Sequence, residues 1–73
     1  MNISEIEWRK GFGRNILNIM NRWKISQHEL AIKTGLSDST ISKYVNGRAT
    51  PTVYALMKIC DVLELPYDFV NWY

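Results

Sequence analysis

Residues 26–52 read SQHELAIKTGLSDSTISKYVNGRATPT, and the fold turns on how they divide. Ser26 stands three residues before Glu29, the spacing at which a hydroxyl accepts from the third amide while the carboxylate reaches back to the first. A helix is therefore expected to begin at Gln27. It carries Leu30 and Ala31 inward and stops at Gly35, since glycine readily enters the left-handed conformation that closes helices. Ser37 is the next natural cap, and Asp38 sits where a carboxylate suits the positive end of a helix dipole. The spacing predicts a second short helix from Asp38 to about Asn46, apolar along Ile41, Tyr44 and Val45 and polar along Ser39, Thr40, Ser42 and Lys43. Asn46-Gly47 ends it.

Toward the N-terminus, Ser4 and Glu7 repeat the capping box, and Trp8, Phe12, Ile16, Ile19 and Trp23 recur at helical spacing. A first helix is expected from about Glu5 to Arg22. Gly11 and Gly13 each weaken it by about 1 kcal/mol relative to alanine, so its early turns are expected to fray or bend, with the secure part from Phe12 onward. On the other side, Arg48-Ala49-Thr50-Pro51 is a short loop, and Thr52 caps a helix with Leu56, Ile59, Cys60 and Leu63 as its buried stripe. That helix should end near Leu63 or Glu64. Pro66 breaks the pattern, after which Tyr67, Asp68, Phe69 and Val70 fit a last helical turn or two. No strand signal or repeat is present, and Phe12, Ile16, Leu30, Leu56, Ile41, Ile59 and Phe69 are the expected core of an all-α domain.

Seventy-three residues, 47% of them hydrophobic, suit one domain with one core, taken to span residues 1–73. The lone Cys60 forms no internal disulfide, and no Cys/His cluster has zinc-ligand spacing, so neither metal nor cofactor is expected. MNISEIEWRK lacks the basic start and apolar run of a signal peptide, and no stretch nears the roughly 20 apolar residues of a membrane span. A cytoplasmic setting is the expectation. The net charge is only +2, but between Trp8 and Arg48 eight basic residues face two acidic ones, Glu29 and Asp38. Beyond Arg48 the balance reverses, with Lys58 against Asp61, Glu64 and Asp68. A basic stretch of this kind is either a solvated surface or a footprint for a polyanion.

Two short helices joined by a tight turn at 35–37 form a helix-turn-helix, a geometry that lets the second helix lie in the major groove of DNA. Ala31 is small where the helices approach, and Leu30, Leu36, Ile41 and Tyr44 lock the pair onto a core. Ser26-Gln27, Leu30-Ala31, Gly35, Ile41 and Asn46-Gly47 in one register, followed by Pro51-Thr52 and a capped fourth helix, resemble the phage lambda repressor and Cro type of helix-turn-helix, also called the xenobiotic-response-element type. The likeness runs from Phe12 through Val70.

That resemblance implies a compact five-helix DNA-binding domain in a bacterial cell or phage-infected host. It also implies base reading by helix 38–46 through Asp38, Ser39 and Lys43, with Thr40 at the boundary between reading edge and backbone. Lys43 can donate to guanine O6 or N7, Ser39 pairs with several base edges, and Asp38 can accept from cytosine N4. A carboxylate near phosphates is repelled, so Asp38 has an alternative reading as a cap alone. For the DNA backbone the resemblance implies Gln27, Ser37, Ser42 and Asn46, with Arg48 and the amides of the 47–50 loop adding to them. Asn15 stands where the family commonly has arginine, and either it or neighbouring Arg14 faces DNA.

His28, without a second histidine, cysteine or carboxylate pair beside it in sequence, reads as a surface residue, and Cys60 as a small core hydrophobe. No nucleophile–base pair, phosphate loop or metal set supports an enzyme. Trp8, Trp23, Ile32, Tyr54, Trp72 and Tyr73 remain after the core is assigned, and apolar groups clustered at a surface mark a partner site. Phe69, Val70, Trp72 and Tyr73 are the expected homodimer contact, since two-fold pairing lets short recognition helices span a palindromic site. The leading expectation is a phage or mobile-element repressor or Cro-like regulator that occupies an operator as a dimer. The alternative is a protein-interaction module, antirepressor or antitoxin-like, that binds another regulator.

Overall fold

The computed structural model describes residues 3–68. Four α-helices lie within them: α1 over Glu5–Trp23, α2 over Gln27–Thr34, α3 over Asp38–Val45 and α4 over Val53–Leu63. Each begins where a hydroxyl is available to cap it. Ser4 and Ser26 close reciprocal boxes with Glu7 and Glu29, Ser37 accepts from the Thr40 amide, and Thr52 accepts from the Ala55 amide. No helix of the described residues is long and apolar enough to cross a membrane.

The expected five-helix count is corrected to four among the described residues. Of the stretch proposed for a fifth helix, Tyr67 and Asp68 take a 3₁₀ rather than an α-helical conformation, while Phe69 and Val70, and with them the Phe69 core assignment, lie outside the described residues. The cause is local. Glu64 adopts a left-handed conformation at φ 57°, and the Leu65 amide donates back to the Cys60 carbonyl at 2.8 Å, which turns the chain off the α4 axis. Pro66 then offers no amide for a helical bond. Tyr67 folds back instead, its hydroxyl donating to Asp61 Oδ1 at 2.7 Å.

Phe12, Ile16 and Met20 of α1, Leu30 and Ala31 of α2, Ile41, Tyr44 and Val45 of α3, and Ala55, Ile59, Cys60 and Leu63 of α4 are buried together. Leu56, expected on the α4 stripe, is only half-buried at its edge, and Ala55 takes the inward position. Trp8 covers the end of this core, its ring stacked on Phe12 with centroids 5.1 Å apart. α3 packs against both α1 and α2, and α4 closes over α2.

α1 runs without interruption from Glu5 to Trp23, and Gly13 lies in a helix contact rather than in a weak exposed stretch. A Cβ there would fall 2.5 Å from the Tyr44 carbonyl oxygen and 2.7 Å from that of Val45. Only hydrogen at that position lets α1 touch the last turn of α3. Gly47 does the same for the following loop: its φ is 70°, and a Cβ would stand 3.0 Å from Lys10 Cα. The end of α3 is thus fixed against α1 from two sides.

Thr34 locks the turn between α2 and α3, a role its place in the sequence did not signal. Among the described residues it is the buried polar one, 3% exposed. Its hydroxyl donates to the Leu30 carbonyl at 2.7 Å and accepts from the Leu36 amide at 3.3 Å. One side chain therefore satisfies groups on both sides of the left-handed Gly35.

Candidate nucleic-acid interface

α3 buries Ile41, Tyr44 and Val45, and the helical period therefore turns Ser39, Lys43 and Asn46 outward. Asp38 and Ser37 are also exposed at the start of the helix, whereas Thr40 and Ser42 are half-buried along its flank. Their hydroxyls are partly committed. Ser37 Oγ accepts from the Thr40 amide at 3.0 Å and donates to Thr40 Oγ1 at 2.8 Å, which leaves the Thr40 proton free to donate onward. Asn46 Nδ2 donates to the Ser42 carbonyl at 2.8 Å, which holds its amide across the last turn with Oδ1 as a free acceptor. Ser39 and Lys43 make no side-chain hydrogen bond to another described residue, so their polar groups stand open to an incoming partner.

Beside the C-terminal end of α3, Lys10, Arg14, Leu17, Val45 and Asn46 line an open groove of about 330 Å³. Arg14 and Asn46, placed apart in the sequence reading, thus meet in one feature. Asn15 does not join them; it is half-buried and outside the groove lining. Lys10 was missed, although it stands four residues before Arg14 on the same helix, the spacing that puts two side chains on one face. Close packing of Gly47 on Lys10 could not be read from sequence.

Gln27 is exposed at the first position of α2, at the opposite end of the α2–α3 pair from Asn46. The loop after α3 is held by α1. The Arg48 amide donates to the Lys43 carbonyl at 2.8 Å, Arg9 Nη1 donates to the Arg48 carbonyl at 3.5 Å, and Thr50 Oγ1 donates to Glu5 Oε2 at 2.6 Å. The Arg48 side chain projects exposed from a braced backbone.

Asp38 is not alone. His28 Nδ1 lies 2.9 Å from Asp38 Oδ1, linking the first turn of α2 to the first turn of α3. Ten residues separate the two in sequence, and only the interhelical geometry brings them together. Lys10 and Arg14 thus line the groove at the C-terminal end of α3, Lys43 stands exposed on the helix itself, and the carboxylate at its start is held by a histidine.

The expected contact through Phe69, Val70, Trp72 and Tyr73 lies outside the described residues. Of the other surplus apolar residues, Trp8 is absorbed into the core edge, while Trp23, Ile32 and Tyr54 are exposed. Val53 and Met57 join Tyr54 on the outer side of α4, where Lys58 Nζ lies 5.4 Å from the Tyr54 ring centroid.

A family model described as helix-turn-helix matches residues 19–70. The chain is 36% identical over 58 residues to an uncharacterized HTH-type transcriptional regulator of Bacillus subtilis, RghRB, a match covering 78% of this chain and 42% of that protein. A helix-turn-helix family transcriptional regulator from Vibrio cholerae superposes with a TM-score of 0.84 at 20% identity, over 94% of this chain and 39% of that one. The restriction-modification controller protein C.AhdI from Aeromonas hydrophila gives a TM-score of 0.79 at 20% identity, over 88% of this chain and 96% of that one. The clp gene regulator ClgR from Corynebacterium glutamicum gives 0.81 at 20% identity, over 89% and 69% of the two chains. The chain spans less than half the length of RghRB and of the Vibrio cholerae regulator.

Proposed function

The chain belongs to the helix-turn-helix family of the lambda repressor and Cro type, and from that membership we propose that it regulates transcription by binding DNA in a sequence-specific way through α3. The observation that carries the reading is the outward edge of α3, where Ser39 and Lys43 have uncommitted polar groups between Gln27 at one end and the Arg14–Asn46 groove at the other. Lys43 is assigned to guanine O6 or N7, Ser39 and Thr40 to neighbouring base edges, and Asp38 to a base edge at the start of the helix. Gln27, Ser37, Ser42, Asn46, Arg14 and Arg48 are assigned to the phosphate backbone, joined by Lys10 through the groove it shares with Arg14. Arg14 is preferred to Asn15 because it is exposed within that groove.

One α3 of eight residues reads few base pairs, so the proposal includes a homodimer on a two-fold operator and repression by occupancy, of the kind used by phage and mobile elements. A second reading, a module that binds another regulator, is favoured by the exposed Val53, Tyr54 and Met57 on α4. Fluorescence anisotropy with duplexes selected from a random pool, at two salt concentrations, separates the two. Binding that weakens steeply with salt is expected, because cationic contacts release counterions from DNA. Failure to bind duplex at low salt, together with tight capture of a protein partner, would favour the second reading.

A further inference from the structure

The loop between α3 and α4 is tied to the first turns of α1, the two segments running in opposite directions. Glu5 Oε2 accepts from Thr50 Oγ1 at 2.6 Å, Arg9 Nη1 donates to the Arg48 carbonyl at 3.5 Å, and Gly47 packs on Lys10. Glu5 and Arg9 stand at the helical spacing where a glutamate ordinarily pairs with the basic residue one turn on. They form no ion pair, and both reach across to the loop instead. Arg9 Nε is buried without a hydrogen-bond partner among the described residues, so that reach costs desolvation.

What these ties hold in place is a pair of free donors. The Gly47 and Arg48 amides are spent on the Tyr44 and Lys43 carbonyls, whereas the Ala49 and Thr50 amides donate to no described residue. Pro51, which has no amide, ends the run. The loop follows directly on Asn46, and Lys10, against which Gly47 packs, lines the groove with Arg14 and Asn46. The free donors therefore adjoin the basic groove at the end of α3.

Resting on the DNA-binding reading above, we infer that Glu5 is a positioning residue of the interface. Through the Thr50 hydroxyl it fixes the 48–50 loop, so that the Ala49 and Thr50 amides and the Arg48 side chain meet one DNA phosphate together. A carboxylate thereby strengthens binding to a polyanion. By charge alone it would do the reverse, since a negative group disfavours association with DNA. The gain comes from order: a loop already held in its binding conformation loses less freedom on contact. Glu7, the other carboxylate of that turn, is occupied by Ser4.

The test is a double-mutant cycle on the affinity of a selected duplex, measured by anisotropy at one salt concentration and at a temperature where circular dichroism shows every variant folded. Glu5→Ala and Thr50→Val should each weaken binding by roughly 3–10-fold, the net worth of one hydrogen bond. The double variant should be no weaker than either single one, because both remove the same tie. Glu5→Gln, which keeps an acceptor, should bind at least as tightly as the unaltered chain, and Thr50→Ser should restore affinity lost in Thr50→Val. Glu5→Ala binding as tightly as the unaltered chain or more so, additive losses in the double variant, or no rescue by Glu5→Gln overturns the inference alone. Absence of duplex binding by the unaltered chain overturns the DNA-binding reading and the inference with it.

Discussion

Replacing Gly13 with alanine should destabilise the domain, although helix propensity alone favours alanine there by about 1 kcal/mol. The added methyl would lie 2.5 Å from the Tyr44 carbonyl oxygen, against an ordinary contact of at least 3.4 Å, so α1 and α3 would have to part locally by about 0.9 Å, the difference between the two. Both obstacles are backbone carbonyls at the end of α3, which cannot swing aside as a side-chain tip can. Overpacking of a fixed contact costs about 1–3 kcal/mol, and the rigidity of the neighbours places this case at the upper end of that range. Setting the propensity gain against it leaves a net loss of about 1–2 kcal/mol, or a fall in Tm of about 4–16 °C for a domain of this size. Thermal and urea unfolding followed by circular dichroism measure it. A variant with equal or higher Tm would show that the helices are not in enforced contact at Gly13, and the argument from close approach would fail.

Lys24 closes α1 with φ 57°, a conformation costly for a side chain with a Cβ, so Lys24→Gly should raise stability by about 1 kcal/mol; an unchanged or lower urea midpoint would contradict the assigned strain. Thr34→Val keeps the shape but removes the acceptor for the Leu36 amide, and a loss of about 1–2 kcal/mol in urea unfolding is expected; a neutral substitution would refute the lock. Burial, with the Asp61 charge adding to it, pushes the Cys60 thiol above its ordinary value of 9.0. The thiol is neutral in both states below that value, so its contribution is fully present there, and stability should fall as pH rises through the folded-state value. Tyr67, raised chiefly by its hydrogen bond to Asp61, titrates in the same direction. Cys60→Ala should flatten part of this alkaline limb in pH-dependent unfolding, and an unaltered limb would remove Cys60 as its source.

Helix boundaries were legible in the sequence because capping is local chemistry: the Ser26–Glu29 box, Gly35 and Ser37 specify their ends within a few residues. The buried face of α3 was legible for the same reason, since Ile41, Tyr44 and Val45 share one helical side. What escaped depends on how elements meet. Gly13 reads as a weak point in an isolated helix and becomes a requirement only when α3 lies against it. Ala55 replaces Leu56 on the inward stripe because the rotation of α4 is set by α2, not by residue size. His28 and Asp38 belong to different helices, and Lys10 gains its place beside Asn46 from the packing of the Gly47 loop. The fifth helix was expected from a favourable run after Pro66, but the left-handed Glu64 and the Tyr67–Asp61 bond redirect the chain there.

The central assignment is that the outward edge of α3 reads base identity, and Lys43→Ala tests it most directly. The measurement is the affinity ratio between a selected duplex and single-base-pair variants of it, taken for both proteins at one salt concentration. Loss of one good base contact should weaken binding to the selected duplex by about 1–3 kcal/mol and relax discrimination at one base pair while leaving it intact elsewhere. An equal loss on every duplex, with discrimination preserved at each position, would make Lys43 a phosphate contact and contradict the account.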